Sequence, residues 1–282
     1  MKKILVPVDF SKDSKRALRF GAELAAKSGA VIDILHANTT AAYLPLMPEY
    51  YSTEVAEMTT YEEGVAADVE DLKTSLKAYK KFENLDIQMR IEEGFLHTSI
   101  NAAIEADNCD LVVMGTKGAT GATEFFVGSN TEKVIRTAKC PVLVVPNRYG
   151  EFKLQTVVLA STLRPDQGIA FVELAKFQQY FNFEVKVLYL NDPAMFGTMA
   201  ELEQAVDNFS KSAGLQNVEI YRSSSTFNED QAILMFAKEV QADMIAMATH
   251  QRQGLSHMMF GSLTEDTANH SEIPVLCIPI TK

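Results

Sequence analysis

The chain of 282 residues is 47% hydrophobic and 22% charged, which is typical of a folded globular protein and excludes a disordered one. Its net charge of −11 argues against a nucleic-acid partner, because phosphate backbones are usually bound by basic patches. No apolar run approaches the roughly 18 residues of a membrane span, and Pro7 and Asp9 come too early for a signal peptide. We therefore expect a cytoplasmic protein with no membrane partner. Its three dispersed cysteines are expected to be buried, reduced and free of metal.

The first half of the chain alternates short apolar runs with amphipathic segments. The apolar runs predict strands at 4–8, 30–36, 85–91, 111–114 and 142–145. The segments between them predict helices at 11–27, 65–82, 98–107 and 129–137, with a long insertion around 43–61 after the second strand. Strands that alternate with helices in this way form a parallel sheet covered by helices on both faces.

The second half repeats this pattern. The sequence GTKG at 115–118 returns as ATHQ at 248–251, and CPVLVVP at 140–146 returns as IPVLCIP at 273–279, both 133 residues later. Nearer the start of each half the shift is 153 residues, so the first half holds roughly 20 extra residues, around 43–64. The repeat predicts strands at 157–159, 184–190, 218–222, 244–247 and 275–278, and helices at 169–177, 199–211, 230–239 and 262–270.

We therefore predict an α/β fold of two tandem domains, residues 1–147 and 153–282, each of a usual size for one domain. Each domain is expected to hold a doubly wound, five-stranded parallel sheet with strand order 3-2-1-4-5. The short polar connection between them predicts that the two domains pack closely, as a pseudo-dimer.

A ligand site is expected where the strand order reverses, beyond the carboxyl ends of the first and fourth strands. Asp9 follows the first strand and Gly115 follows the fourth, so both should face one crevice. Gly115 and Gly118 would let the backbone approach a nucleotide closely. The helix that starts near Ser129, after Gly128, offers free N–H groups and partial positive charge, which suits phosphate.

The start of this helix also has a purely structural interpretation. Residues 129–132 have the sequence of a capping box, in which Ser129 and Glu132 satisfy the first N–H groups of the helix. The second half keeps this box at 262–265, but it replaces Asp9, Gly115 and Gly118 with Thr162, Ala248 and Gln251. The residues special to the first half therefore form the candidate ligand set.

These features resemble the universal stress protein family, in its tandem two-domain form, over both halves almost end to end. The family's nucleotide-binding branch has glycine, two residues, glycine, nine residues, glycine and then serine or threonine, and residues 115–129 match this pattern throughout. Asp9, after Val6-Pro7-Val8, matches the family's strand-end acid. The resemblance implies a fold like that of the adenine nucleotide alpha hydrolases. It also implies that the fifth strands, 142–145 and 275–278, pair the two domains or two chains.

The resemblance further implies that the first half binds ATP, or ADP or AMP, with Mg²⁺ bridging phosphate oxygens. Asp9 would meet the ribose or adenosine side, and the backbone near Ala37 and Met114 would meet the adenine. The other residues of the implied nucleotide site lie before the strand-end acid or along the loop and helix start: Pro7, Gly115, Lys117, Gly118, Gly128, Ser129, Asn130 and Thr131. Lys117 stands where members often have arginine, and lysine keeps the charge but loses the two-pronged contact. Asn130 is a second departure from the family pattern.

The expected function is that of an adenine-nucleotide-responsive stress regulator acting through an unknown protein partner, with a homodimer of tandem chains left open. Two alternatives are slow ATP hydrolysis or nucleotidyl transfer, for which no catalytic residue is evident, and a nucleotide-free assembly protein. The apolar insertion at 43–51 is either a lid or an assembly surface, with assembly favoured. His36, the pair His250 and His257, and the pair Glu92 and Glu93 are weaker candidates, for which we favour structural roles.

Overall fold

The computed structural model describes residues 1–38, 51–116, 128–190, 197–223, 228–250 and 263–280, apart from the side chains of 51–62. The strands of the first half are β1 Lys3–Pro7, β2 Val31–Asn38, β3 Ile87–Glu93, β4 Leu111–Gly115 and β5 Val142–Val145. Its helices are α1 Lys12–Ser28, α2 Tyr51–Lys77, α3 Leu96–Asp107 and α4 Ser129–Thr137, with a 3₁₀ turn at Lys80–Phe82. The predicted alternation of strand and helix is confirmed.

The second half repeats the same order of elements. Its strands are β6 Thr156–Ser161, β7 Glu184–Tyr189, β8 Val218–Arg222, β9 Met244–His250 and β10 Val275–Ile280. Its helices are α5 Gly168–Gln178, α6 Met199–Ala213, α7 Glu229–Glu239 and α8 Leu263–His270. A 3₁₀ turn, Pro165–Gln167, precedes α5.

All ten strands form one sheet with the order β3-β2-β1-β4-β5-β10-β9-β6-β7-β8. Each half therefore has the predicted strand order 3-2-1-4-5, and the predicted pseudo-dimer is confirmed. The halves meet where β5 and β10 pair antiparallel, with Val144 opposite Val275 and Val142 opposite Cys277. The predicted pairing of the fifth strands is thus confirmed between the halves. The domain limits at 147 and 153 stay a prediction.

Helix α1 begins and ends at the residues that its sequence predicts. The Ser11 side chain accepts a hydrogen bond from the backbone N–H of Ser14, which caps the amino end. Gly29 ends the helix in the left-handed region, with φ of 72°, which glycine adopts without steric cost.

Helix α2 begins much earlier than the sequence analysis expected. It starts at Tyr51 rather than at residue 65, so the carboxyl-terminal part of the predicted 43–61 insertion is helical. From Tyr51 up to Gly64 the chain has no proline or glycine to stop a helix, and this outweighs its aromatic and β-branched residues. The remainder of the insertion, 43–50, lies outside the described residues.

Two half-buried aromatic residues of the connection between the halves, Tyr149 and Phe152, pack against the core. The ring of Phe152 lies 4.9 Å from that of Phe20 in α1 and 5.9 Å from that of Phe181 in the second half. Aromatic pairs at such distances stabilise beyond the area they bury. One apolar cluster consequently runs through both halves on this side of the sheet.

The three cysteines are buried and free, as predicted. Burial raises the pKa of the Cys109 thiol to about 11 and that of Cys140 to about 12, so both stay protonated near neutral pH. Within the described ranges, no helix combines the length and apolarity that crossing a membrane requires.

Candidate functional site

The strand order of the first half reverses at β1, which lies between β2 and β4. Lys3 of β1 is opposite Val31 of β2, and Ile4 is opposite Leu111 of β4, with both pairs parallel. The carboxyl ends of these three strands therefore share one edge of the sheet. Asp9, Ala37 and Gly115 come together at this edge, which is where open α/β sheets bind ligands.

Asp9 is part of a tight turn that joins β1 to α1. Its Oδ1 accepts the backbone N–H of Ser11 at 3.1 Å, and its own N–H donates to the Oγ of Ser14 at 3.4 Å. The next residue, Phe10, has φ of 60°, an uncommon value for a residue with a side chain. These contacts fix the position of the Asp9 carboxylate before any ligand arrives.

His36 supports this turn from β2. Its Nδ1 lies 2.7 Å from the carbonyl oxygen of Val8, so Nδ1 carries the proton, because a carbonyl can only accept. The ring is buried and lies 5.1 Å from the ring of Phe10. This arrangement favours the structural role that the sequence analysis preferred for His36. Phe10 itself carried no sequence signal.

Gly115 has a packing role that the sequence analysis missed. A Cβ added at Gly115 would lie 3.0 Å from the backbone carbon and oxygen of Asp13, in the first turn of α1. Helix α1 can therefore approach β4 this closely because residue 115 has no side chain. The second half has Ala248 at the equivalent position, and its helix α5 begins later, after the 3₁₀ turn.

The predicted capping box at the start of α4 is wrong. Gly128, with φ of −63° and ψ of 148°, is the residue that precedes the helix, and Ser129 is already helical. No side-chain hydrogen bond caps this end. The N–H of Gly128 donates to the Thr116 carbonyl at 2.7 Å, and the N–H of Glu132 donates to the Gly128 carbonyl at 3.2 Å, as expected when Gly128 is the residue before the helix. The cause is a shift of one residue, because glycine takes the capping position and has no side chain with which to cap.

Among the described residues, this shift leaves the first turn of α4 without a side-chain cap. The N–H groups of its first residues point out of the helix end, and the dipole gives that end partial positive charge. Ser129 and Asn130 are exposed there. Thr131 is buried, and its hydroxyl donates to the Gly115 carbonyl at 3.0 Å, which ties the helix start to the end of β4.

The other members of the predicted nucleotide set are placed as follows. Pro7 and Met114 are buried near the carboxyl ends of β1 and β4, and Ala37 is half-buried near the end of β2. Lys117 and Gly118 lie outside the described residues. The structure thus assembles the strand-end and helix-start members of the set at one edge, and their binding roles stay a prediction.

The equivalent crevice of the second half is crossed by side-chain contacts. His250, at the end of β9, places Nε2 2.8 Å from Oδ2 of Asp166, which follows β6. Beside them, Oε1 of Gln167 accepts the Ser161 hydroxyl at 2.6 Å and the Thr162 N–H at 2.9 Å. His257 lies outside the described residues. In the described part of the chain, no group of three or more His, Cys, Asp or Glu side chains is arranged to hold a metal ion.

The ten-stranded sheet consists of two doubly wound halves that are joined through their fifth strands. Each half has a crevice at its strand reversal. This architecture is that of a tandem Rossmann-like α/β protein. Comparisons with known proteins agree with this class. The family model described as "Universal stress protein family" matches residues 1–146 and again 154–279. The chain therefore belongs to the universal stress protein family and carries two copies of its domain.

Individual relatives include both single-domain and tandem proteins. Universal stress protein MJ0531 of Methanocaldococcus jannaschii is 33% identical over 147 residues, which cover 51% of this chain and 81% of that protein. Universal stress protein Slr1230 of Synechocystis is 22% identical, over 98% of this chain and 99% of its own length. A solved universal stress protein from Archaeoglobus fulgidus has a TM-score of 0.72 at 21% identity, covering 99% of this chain and 98% of that one. This last likeness shows the fold.

Proposed function

We propose that the first half binds an adenine nucleotide, ATP or its ADP or AMP relatives, and that the protein acts as a cytoplasmic stress-response regulator. The observation that carries this proposal is the first turn of α4, which no described side chain caps and which Thr131 ties to the end of β4 at the strand reversal. Anions bind at helix ends of this kind because the backbone N–H groups and the dipole act together.

The adenosine end is supported by the turn after β1. The Asp9 carboxylate is held by the N–H of Ser11, and a fixed carboxylate is a suitable acceptor for ribose hydroxyls. The half-buried stretch at Ala37 offers backbone groups at the same edge of the sheet, where the adenine would lie. The family pattern at 115–129 supports the same order of contacts along the nucleotide.

Mg²⁺ fits this site as an ion shared with phosphate oxygens. The exposed hydroxyl of Ser129, at the helix start, is an oxygen donor of the type that Mg²⁺ accepts beside phosphates. When bound, the ion would neutralise phosphate charge. The protein's own contribution is the helix end, the backbone of the loop and the positioning of Asp9.

The second half is not expected to bind nucleotide, because the contact between His250 and Asp166 joins the ends of β9 and β6 across its crevice. We therefore propose one nucleotide per chain. Regulation would follow if the bound nucleotide changes how the protein contacts its partner, without being consumed. The described crevice offers no evident general base, which makes slow hydrolysis the weaker candidate.

Native mass spectrometry of the purified protein tests this proposal. We expect one copurified adenine nucleotide per chain, and thermal stabilisation of the stripped protein by ATP with Mg²⁺. Gly118→Leu should abolish that stabilisation, whereas the matched change Gln251→Leu in the second half should leave it. Failure of ATP, ADP and AMP to bind at millimolar concentration would favour the nucleotide-free assembly protein. Turnover above background that is lost in Asp9→Asn would favour the enzyme.

A further inference from the structure

Strand β8 ends the ten-stranded sheet, and no strand of the described residues pairs with its outer side. Val185 donates its N–H to the Asn217 carbonyl at 2.8 Å, and Ser223 donates its N–H to the Tyr189 carbonyl at 2.9 Å. The hydrogen-bonding groups of a strand alternate between its two sides. The N–H and C=O groups of Val218 and Ile220 therefore point away from β7, toward the open edge of the sheet.

A groove of about 300 Å³ runs between this edge and helix α6. Its apolar walls are Val206 and Leu215 on the helix side and Val218 and Ile220 on the strand side. A groove between a helix and an edge strand is the geometry in which extended peptides add a strand to a sheet. In that mode the main chain supplies affinity, and a side chain enters the pocket.

The floor of the groove holds a polar group without a partner. Ser210 is only 8% exposed, and its hydroxyl oxygen is buried with no hydrogen bond among the described residues. A helical serine can usually bond to a carbonyl of the preceding turn, and a buried hydroxyl left unpaired destabilises the fold. Ser210 therefore marks a point of the groove lining where burial is not compensated by a hydrogen bond within the described residues.

The rim of the groove is acidic. Lys211 and Asp207 neutralise each other through an ion pair of 2.6 Å. Glu203, which lines the same groove, is exposed and has no ion pair within the described part of the chain. A cationic residue on the occupant would therefore be attracted to the rim, and the net charge of −11 acts in the same direction.

From these four observations we infer that the groove between α6 and β8 binds an extended segment of a partner protein as an added strand. The segment presents an apolar side chain to the pocket and a lysine or arginine to Glu203. This inference does not depend on nucleotide binding, because the groove lies at the far edge of the second half.

The test uses two fluorescein-labelled peptides and the full chain. One peptide alternates lysine and valine, and the other alternates glutamate and valine. We expect the lysine peptide to bind at least about tenfold more tightly by fluorescence anisotropy, a difference of about 1.4 kcal/mol. We also expect it to slow hydrogen exchange at the amides of Val218 and Ile220. Equal binding of the two peptides, or no change in exchange at β8, would overturn the inference.

Variants at the groove make the test independent of overall stability. Ser210→Leu fills the pocket and should weaken binding of the lysine peptide about tenfold, whereas Ser212→Leu, exposed on the same helix, should not. Ile220→Pro removes an outward N–H while keeping the bonds to β7, since proline is tolerated on edge strands. It should also weaken binding, with little change in melting temperature. Concentration-dependent self-association that Ile220→Pro abolishes would overturn the inference in favour of a second copy of this chain as the occupant.

Discussion

Arg136 of the first half and Glu265 of the second form a two-pronged ion pair across the junction of the halves. Nε of Arg136 lies 2.7 Å from Oε1 of Glu265, and Nη2 lies 2.5 Å from Oε2. The Glu265 side chain is 5% exposed and the Arg136 side chain 40%. In the repeat, Glu132 corresponds to Glu265 and Asn269 corresponds to Arg136. The second half therefore has asparagine where a symmetric ion pair with Glu132 would need arginine. The pseudo-twofold symmetry of the fold is thus broken at its own axis.

Arg136→Ala should destabilise the protein by about 2 kcal/mol. The substitution removes Arg136 as a partner of the buried Glu265 carboxylate, and the loss falls below the 3–5 kcal/mol of a fully buried pair because Arg136 is partly exposed. Urea unfolding measures this loss. Lys139→Ala, which breaks the exposed pair with Glu105, is the control and should change stability by less than about 1 kcal/mol. Equal effects of the two substitutions would contradict a special role for Arg136.

Glu132→Gln should stabilise the protein at pH 7 and have no effect at pH 4. Burial is the main cause that raises the pKa of Glu132. The negative charges of Glu265 and Asp266 raise this pKa further, whereas the positive charge of Arg136 lowers it. A carboxyl whose pKa is higher in the folded state holds its proton more tightly there, so stability falls as the pH rises above the unfolded value near 4.5. Glutamine does not ionise, so the variant does not lose this stability as the pH rises. Urea midpoints from pH 4 to pH 7 check the prediction, and a constant difference across that range would refute it.

Gly115→Ala should destabilise the protein by about 1–3 kcal/mol, because the new methyl group meets the backbone of Asp13 at 3.0 Å. Thermal unfolding without nucleotide measures this effect. Gly150→Ala is a matched control, since a Cβ there meets nothing within 4 Å. If Gly115→Ala unfolds like the parent and loses only nucleotide binding, then Gly115 serves the ligand and not the packing of α1.

Ser129→Asp should separate the stability of α4 from its proposed anion site. A carboxylate in the first turn interacts favourably with the helix dipole, by about 0.3–1 kcal/mol, so the nucleotide-free protein should keep or gain stability. The same charge repels phosphate, so stabilisation by ATP should disappear from the thermal shift. Ser262→Asp in the second half should leave the response to ATP intact. Retention of ATP binding by Ser129→Asp would count against phosphate at this helix end.

Much of the fold followed from patterns that are local in the chain. The 133-residue repeat predicted two equivalent halves, and the alternation of apolar strands with helices predicted that the strands within each half are parallel. Ser11 and Gly29 marked the ends of α1, because capping depends on a few adjacent residues. The sequence also predicted that Asp9 and Gly115 lie at one edge of the sheet, because parallel strands have their carboxyl ends together.

Contacts between distant segments decided the rest. The sequence of 129–132 fits a capping box, yet Gly128 takes the capping position and accepts the N–H of Glu132, and no described side chain caps the helix. Gly115 has a packing role beside its predicted ligand role, and that packing role depends on how closely α1 approaches β4. Local sequence determines which elements form and where most of them end. Which backbone groups stay open to a ligand, and which glycine makes room for a helix, depends on how closely those elements approach one another in the folded protein.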